Sequence, residues 1–473
     1  MSHAEPAGQI FRRRGRKNSR SSARLPGVAF VWVVGVLLAL GGVILALGYL
    51  QGPRLLSAEL DTDAVTDSSD QTLRLILSQS VSGIESGAVT VEPSAAVSVA
   101  SEADLISVTF EEPLDYNTAY TVTVNGVESV SGASASTISY SFTTGGPKLY
   151  LLDRGESADE IVRAELGGSE RSVLFAGEGI QEFMPFGDLL AVTTASADRQ
   201  GTLWLVNPQT GIAEKVVLPE AGEVVNLDAS RSGATLGFTI SSDDIGPIAT
   251  VWHTLYTIDF DRGRDAIAVT GLDGAPMRVT GWQFIPGTLN IVALTADGTL
   301  VRVDSSTGNV EPLGQYFEFD RVSADGSHVV VSDSHGSAAI ALTDGAEREL
   351  NASPIDGKQP FLGHTDAGAA GTLVAKMVLV GEAGNTFSSL LAYDNGEVSR
   401  ILHQTVDDKG AILDFQVSPN GQLVAVEVQP NVSALDSDEY VMNPRPRSVT
   451  TYVVDIASGE VTQNVDGFGA VWR

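Results

Sequence analysis

The sequence predicts a protein that is all-β outside the membrane, with a single N-terminal transmembrane helix, a small β-sandwich and a seven-bladed β-propeller. Residues 28–50 form an uncharged apolar stretch, which predicts the helix. The rest of the chain has short β-branched runs between turns, and 49 glycines supply the backbone freedom that tight turns need. A unit of two β-hairpins recurs through the C-terminal two-thirds, and residues 417–461 are its clearest copy.

The N-terminal 27 residues are polar and carry seven of the 29 Lys and Arg residues but only one of the 59 acids. They predict a disordered arm that stays in the cytoplasm (residues 1–27). The next segment, residues 28–50, gives about 34 Å of helix, enough to span a hydrocarbon core of about 30 Å. The competing interpretation, a cleaved signal peptide, would have an apolar region of about 7–15 residues. We therefore expect an uncleaved signal anchor in the cell membrane, with the C-terminal bulk extracytoplasmic.

Charge and cysteine content exclude several classes of function. Beyond residue 27 the chain carries 22 bases and 58 acids, so its surface repels nucleic acid. The absence of cysteine excludes disulfides, thiolate metal sites, a cysteine nucleophile and a lipoprotein anchor. Scarce lysine beside abundant Ala, Gly and Val is typical of high-GC bacteria such as actinobacteria.

Residues 55–146 contain short strands separated by turn residues. Tyr120, Val122 and Val124 alternate with threonines, the period-2 pattern of a half-buried strand, and Asn125-Gly126 predicts a tight turn after it. A segment of about 90 residues with this many strands has the size of an immunoglobulin-like sandwich. The predicted strands are residues 73–77, 89–91, 106–110, 120–124 and 138–142.

One stretch of this segment reads VTFEEPLDYNTAYTVTVNGVESVSGASASTISYSFTT, with a strand ending at Phe110, Pro113 behind it and Phe142 near its close. This order of residues resembles the bacterial Ig-like domain of the S-layer-protein type. The resemblance implies a spacer or an adhesive module. Four aspartates between residues 61 and 70 suggest calcium, but their spacing lacks the glycine of a calcium loop. No cofactor is therefore predicted, and calcium is kept as the alternative.

Residues 147–473 contain the repeats, and each repeat has two half-units. The first is a strand, a Gly turn and a return strand, as in VSADGSHVVV and VSPNGQLVAV, and its copy between residues 361 and 380 is degenerate. The second is a strand ending in Asp or a similar residue, then a Gly turn and another strand, as in TLYTIDFDRGRDAIAV. The glycines of its seven copies are Gly155, Gly211, Gly263, Gly308, Gly345, Gly396 and Gly459.

Seven copies over this region give roughly 47 residues each, which fits a four-stranded propeller blade. The region begins with three strands and ends with a single one, GAVWR, so we expect the last strand to complete the first blade and close the ring. Six or eight blades are the alternatives. The turns SADG (323–326) and SPNG (418–421) resemble those of TolB-type and WD40-like bacterial propeller repeats, although the Gly-His and Trp-Asp dipeptides of WD40 repeats are missing. This resemblance implies a fold and no transferable active site.

A long loop, residues 429–448, separates the two halves of the clearest repeat. Long loops in compact domains are often functional, and Tyr and Arg commonly anchor interfaces. A variable surface excursion is the alternative, and a second excursion at residues 241–252 is a weaker candidate. The candidate recognition residues are Asp436, Asp438, Glu439, Tyr440, Met442, Arg445 and Arg447.

No catalytic pattern accompanies these features. The six histidines lack zinc spacing, and neither a G-x-S-x-G elbow nor a phosphate-binding P-loop is present. The sequence therefore predicts a non-enzyme, a single-pass membrane protein that presents a propeller on an Ig-like stalk to an unidentified protein or glycan of the cell envelope. A propeller hydrolase or lyase acting on cell-wall or extracellular carbohydrate is the alternative, and a structural spacer is the third possibility. Carboxylates and arginine with shifted pKa values at the channel mouth would favour the enzyme.

Overall fold

The computed structural model describes residues 31–40 and 52–473, apart from residues 131, 133, 156–157, 168–170, 231–233, 242–252, 382–386, 406–409, 434–436 and 441. Residues 31–40 form a helix, α1, within the predicted anchor, whose remaining residues lie outside the described ones. Across these described ranges, no helix is long and apolar enough to cross a membrane.

The first globular module is a sandwich of two antiparallel sheets, ordered β1-β2-β5-β4 and β3-β6-β7. Side chains that alternate along the strands, among them Tyr120, Val122 and Val124, meet between the sheets in one buried core. A short helix α2 (Ala64–Asp67) and a 3-10 turn (Ser86–Ala88) complete the module. The strands are β1 (Leu55–Glu59), β2 (Gln71–Leu77), β3 (Val89–Glu92), β4 (Val97–Glu102), β5 (Leu105–Phe110), β6 (Ala119–Val127) and β7 (Ser136–Thr143).

All five strands predicted for this module are present, while β1 and β4 were not foreseen from the sequence. The prediction of a tight turn at Asn125-Gly126 is wrong. Both residues lie within β6, where the register with β7 shifts between Val124 and Val127. Gly126 has a φ of +67°, and this left-handed conformation accommodates an extra residue in the strand rather than reversing the chain.

The rest of the chain forms antiparallel strands that follow one another in order. They are β8 (Lys148–Arg154), β9 (Asp159–Glu165), β10 (Arg171–Gly177), β11 (Ile180–Phe186), β12 (Leu189–Ala195), β13 (Gly201–Asn207), β14 (Ile212–Lys215), β15 (Glu223–Ala229), β16 (Thr235–Ser241), β17 (His253–Asp259), β18 (Ile267–Ala268), β19 (Arg278–Phe284), β20 (Ile291–Thr295), β21 (Thr299–Asp304), β22 (Asn309–Gln315), β23 (Glu318–Val322), β24 (His328–Ser332), β25 (Ser337–Ala341), β26 (Glu347–Glu349), β27 (Phe361–Ala367), β28 (Leu373–Val380), β29 (Phe387–Asp394), β30 (Ser399–Gln404), β31 (Ala411–Val417), β32 (Leu423–Gln429), β33 (Thr450–Asp455), β34 (Val461–Asp466) and β35 (Phe468–Trp472).

These strands form a propeller of four-stranded blades. Five blades are separate sheets, and the strands β15–β22 form two blades that are joined by a short pairing of His253 and Thr254 with β19. Blade 1 has the order β10-β9-β8-β35, so the last strand of the chain is the innermost strand of the first blade. The predicted closing strand is therefore confirmed by the pairing of Trp472 with Leu149.

Hydrophobic side chains hold neighbouring blades together all the way around the ring. One buried cluster joins blades 7 and 1 through Trp472, Leu149 and Val453, and another joins blades 1 and 2 through Ile161 and Phe183. Five further clusters join the remaining neighbours in sequence. Because both faces of each sheet pack against another sheet, the strands contain apolar runs as well as alternating patterns.

The prediction that the hairpin around Gly155 is a copy of the second half-unit is wrong. The hairpin around Gly155 joins β8 to β9, which are the second and third strands of blade 1, whereas the other six copies join third to fourth strands. The six other glycines have positive φ, and Gly155 does not belong to this group. Period-2 alternation is the same in every hairpin, so the pattern alone does not say which hairpin of a blade it describes.

The propeller has two different ends. We call the end with the turns between first and second strands the turn face, and the opposite end, which carries the second-to-third connections such as residues 430–449, the loop face. The Ig-like module contacts the turn face, where Asn420 Nδ2 donates to Leu114 O (3.1 Å) and Tyr116 N donates to Gln422 Oε1 (2.7 Å). Lys148 Nζ lies 2.7 Å from Asp63 Oδ2 at the junction. The loop face therefore lies at the end of the propeller opposite the Ig-like module.

Candidate functional site at the loop face of the central channel

A β-bulge interrupts the innermost strand of every blade. Each shift lies near the beginning of that strand, at the loop-face end, and the seven shifts fall between residues 180/182, 225/228, 279/281, 319/321, 362/365, 412/414 and 468/471. A bulge turns side chains away from the regular alternation of the strand. Four residues within these shifts, Gln181, Leu227, Gly469 and Ala470, line a cavity at this end of the propeller.

The loop 429–448 is fastened to blade 1 through a buried ion pair. Arg154, at the end of β8, places its Nε 3.2 Å from Asp438 Oδ2, and both side chains are almost completely buried. Arg154 NH2 also donates to Ile180 O at 2.9 Å. Burial lowers the pKa of Arg154, while the charges of Asp159 and Asp438 oppose this shift. The pair connects the last blade to the first two.

Tyr440 provides a second attachment. Its ring lies 4.0 Å from the guanidinium carbon of Arg154, and its hydroxyl donates to Asp159 Oδ2 at 2.8 Å. The same hydroxyl accepts from Gly179 N at 3.2 Å. Burial, followed by the hydrogen bond to Asp159, raises the pKa of Tyr440. The tyrosine therefore packs as part of the propeller and does not project into solvent.

The other predicted recognition residues have different surroundings. Met442 is buried, and Arg447 donates to Ser437 O and Gly155 O, each at 3.3 Å. Glu439 is exposed with a φ of +62°. Asp436 and nearly all of the weaker candidate segment 241–252 lie outside the described residues. The recognition role of this set stays a prediction. Among its described members, Glu439 and Arg445 are the charged residues whose side chains the loop does not use as internal attachments.

A cavity of about 200 Å³ opens below the loop at the channel mouth. The buried Glu427 on β32 and the partly buried Glu182 on β11 contribute carboxylates to its wall. Glu182 accepts from Asn226 N at 3.1 Å and from Leu227 N at 2.7 Å, and Glu427 accepts from Ala470 N at 2.9 Å. Both glutamates thus bind backbone amides of a neighbouring blade.

The pKa values of these two glutamates are raised by burial. The pKa of Glu427 is about 7, because burial and then the charge of Asp414 favour its neutral form. Burial also raises the pKa of Glu182, against its backbone hydrogen bonds. The positive charge of Arg445 lowers the pKa of both groups, so this guanidinium acts on two carboxylates at once.

A second charged cluster lies on the channel wall around Arg321. This arginine reaches from blade 5 to blade 7, where NH1 donates to Phe415 O (2.6 Å) and NH2 to Asp414 Oδ1 (2.8 Å). Although burial lowers the pKa of Arg321, the charges of Asp414 and Asp320 outweigh it and raise the pKa overall. Burial raises the pKa of Asp366, near this arginine, to about 7. The cluster ties together blades that are not adjacent.

The aspartates considered for calcium have other partners. Asp61 Oδ1 accepts from Asp63 N (3.1 Å) and Ala64 N (3.0 Å), while Asp67 lies 3.9 Å from Arg473 NH1. Asp63 pairs with Lys148 at the junction with the propeller. Among the described residues, no group of three or more His, Asp or Glu side chains is arranged to hold a metal ion.

Sequence inspection missed most of this site. Arg154, Glu182, Arg321 and Glu427 were not singled out, because acids and bases are numerous in this chain. One local signal was available, since Glu427 interrupts the apolar run Leu423–Gln429 at a position where both neighbours are valines. A charged residue inside a doubly packed strand requires a partner, so such interruptions mark the channel wall.

The N-terminal module can also be compared with known families. Residues 52–144 match the bacterial Ig-like domain family. The resemblance predicted from the sequence is thereby confirmed for this segment, which is less than half of the chain. No curated protein matches the chain.

Solved structures similar to the chain include β-propellers from bacteria and archaea. TolB from Acinetobacter baumannii is 14% identical over 69% of this chain and 65% of its own length, just under two-thirds, with a TM-score of 0.37. The β-propeller domain of the Trilobed protease from Pyrococcus furiosus is 13% identical over 68% of this chain and 94% of its own length, with a TM-score of 0.43. Oligogalacturonate lyase from Vibrio parahaemolyticus is 11% identical over 63% of this chain and 83% of its own length, with a TM-score of 0.45. The predicted resemblance to TolB-like propellers is confirmed as one of fold.

Proposed function

We propose that this chain is a membrane-anchored extracytoplasmic binding or scaffolding protein whose propeller presents its loop face to a protein partner. The observation that carries the proposal is the arrangement of the two modules. The Ig-like module, which follows the proposed anchor 28–50, contacts the turn face, so the loop face is the end that points away from the attachment. An actinobacterial or other high-GC origin remains a prediction from composition.

Exposed aromatic side chains on the loop face support a protein partner. Phe361 begins β27, Phe387 begins β29 and Phe317 precedes β23, all at loop-face ends of strands, and these side chains are 66%, 70% and 78% exposed. Phe361 and Phe387 stand on either side of β28, opposite Val378 and Val380 respectively. Exposed apolar groups that occur together commonly mark interaction surfaces, whereas single ones need no explanation.

The enzyme alternative has one supporting observation, the raised pKa values of Glu182 and Glu427 beside Arg445. Both carboxylates also bind backbone amides between blades, which is a structural role that accounts for their burial. Incubating the full-length protein with extracellular polysaccharide and measuring new reducing ends tests this alternative. Turnover that is lost in Glu427→Gln would favour a hydrolase or lyase over a binding protein.

The test of the proposed function uses point variants of the full-length chain in detergent. Deleting residues 429–448 is unsuitable, because it would remove Asp438 and Tyr440 from the ring. We expect cross-linking in envelope extracts to capture a protein with the wild type and to lose it with the double variant Phe361→Ser/Phe387→Ser. Ile212→Ser is the matched control, since Ile212 is 67% exposed at the beginning of β14 on the turn face.

Two outcomes of this experiment would contradict the proposal. Equal capture by the double variant and the wild type would exclude the phenylalanine surface, and capture of envelope glycan alone would replace the protein partner by a carbohydrate. Localisation is tested separately by membrane fractionation and by protease treatment of intact cells. We expect extraction only by detergent and cleavage of the propeller from outside.

A further inference from the structure

The cavity under the loop has the size of a small metabolite. Its volume of about 200 Å³ exceeds the cavity of about 150 Å³ that accommodates benzene in an engineered protein. Phe183 and Phe468 supply apolar walls, and both are nearly buried. A ligand of amino-acid size therefore fits, whereas a folded protein segment does not.

One wall of the cavity carries the positive charge of Arg445, which acts on Glu182 and Glu427 without contacting either carboxylate directly. Arg445 is held by its backbone, because its N–H donates to Asp438 Oδ2 (3.0 Å) and its carbonyl accepts from Asp438 N (2.9 Å). Its guanidinium carbon lies 5.4 Å from the centre of the Phe468 ring. Within the described part of the chain, this guanidinium makes no ion pair or hydrogen bond. Its planar fork of donors matches a carboxylate, which it can bind through two parallel hydrogen bonds.

The cavity also carries hydrogen-bond acceptors with unused capacity. A carboxylate has about four lone-pair sites, of which the backbone amides occupy two on Glu182. Gln181 adds a third acceptor: the residue is only 7% exposed, and its amide nitrogen donates to Gly179 O at 3.2 Å. Its Oε1 has no hydrogen-bond partner among the described residues. A buried acceptor without a donor is costly, so a ligand that donates here gains more than the hydrogen bond alone.

From this arrangement we propose that the loop-face cavity binds a free amino-acid-sized zwitterion. The ligand carboxylate binds Arg445, its ammonium group donates to Glu182, Glu427 and the Oε1 of Gln181, and its apolar side chain packs against Phe468. A zwitterion has no net charge, so the net charge of −30 on the chain does not repel it as it would repel an acid. The site is separate from the exposed phenylalanines, so its failure would leave the proposed function intact.

Calorimetric titration of the full-length protein in detergent tests this inference with three probes of matched shape. L-leucine carries both charges, 4-methylpentanoate lacks the ammonium group and 3-methylbutylamine lacks the carboxylate. We expect L-leucine to bind and each truncated probe to bind at least tenfold more weakly. Equal binding of 4-methylpentanoate would reduce the site to an anion site, and the absence of heat with all three probes at millimolar concentration would overturn the proposal.

Variants locate the binding site. Arg445→Met should weaken L-leucine binding at least tenfold, and Arg264→Met is the matched control, because the Arg264 side chain is 65% exposed in a pair with Glu214. Gln181→Leu, which removes the unpaired acceptor, should weaken binding severalfold, and thermal unfolding of the variant is measured alongside to show that it is folded. Wild-type affinity in Arg445→Met would overturn the assignment. Arg445 is only partly buried, so loss of the fold is not expected to obscure this result.

Discussion

Replacing Arg154 by Met should both destabilise the propeller and release the loop 429–448. The change keeps part of the apolar stem and removes the guanidinium, which leaves the carboxylate of Asp438 buried with its side chain only 1% exposed. Removing one partner of a buried ion pair costs about 3–5 kcal/mol, because the remaining charge stays buried without a counter-charge. The hydrogen bond to Ile180 O is lost as well, so we expect the upper half of that range.

Urea unfolding followed by circular dichroism at 25 °C measures this cost. Arg264→Met is again the control, since its pair with Glu214 (2.6 Å) joins side chains that are 65% and 61% exposed, and such surface pairs contribute about 0–1 kcal/mol. Amide hydrogen exchange across residues 437–447 should become faster in Arg154→Met alone. A destabilisation below about 1 kcal/mol, or unchanged exchange in the loop, would refute the role given to this ion pair.

Two further predictions concern ring closure and pH. Trp472→Ala should lower the free energy of unfolding by about 3–5 kcal/mol, because Trp472 is 2% exposed and its Nε1 donates to Gln416 O at 2.9 Å. Urea titration measures this change. The control Val461→Ala, at the exposed beginning of β34, should change the free energy of unfolding by less than about 0.5 kcal/mol. Glu427 has a folded-state pKa of about 7 against an ordinary value of 4.5, so the folded protein binds the proton more tightly than the unfolded chain does. The stabilisation from protonated Glu427 is complete below pH 4.5 and is lost as the pH rises to about 7, at about 1.4 kcal/mol per pH unit. Unfolding measured across this pH range should therefore depend less on pH in Glu427→Gln than in the wild type, and parallel curves would contradict the assignment.

Much of the fold could be predicted from the sequence because local patterns carry it. Alternation at Tyr120, Val122 and Val124 identified β6, and the recurring glycine turns marked the hairpins of the blades. The unpaired terminal strand indicated ring closure, which Trp472 confirms. The errors at Gly126 and Gly155 have one cause: a glycine that permits positive φ, or a turn between alternating strands, does not by itself specify its place in the sheet.

The candidate site could not be predicted in the same way. The loop was selected for its length and its Tyr and Arg content, yet Asp438 and Tyr440 proved to be buried attachments. The cavity wall depends on bulges at Glu182 and elsewhere, which carry no sequence pattern as plain as that of the turns. Whether a carboxylate in this acidic chain is exposed or buried depends on the register of its strand.

The sequence by itself determined the all-β character, the Ig-like segment and the recurrence that produces the blades, because backbone periodicity and turn formation are local properties. Tertiary structure alone decided which charges meet. Tyr440 binds Asp159 across 281 residues of sequence, and Arg321 reaches Asp414 across 93. The first pair forms because closing the ring brings the last blade against the first, and the second forms because the ring brings blade 5 within reach of blade 7. No local pattern encodes a partner at that distance.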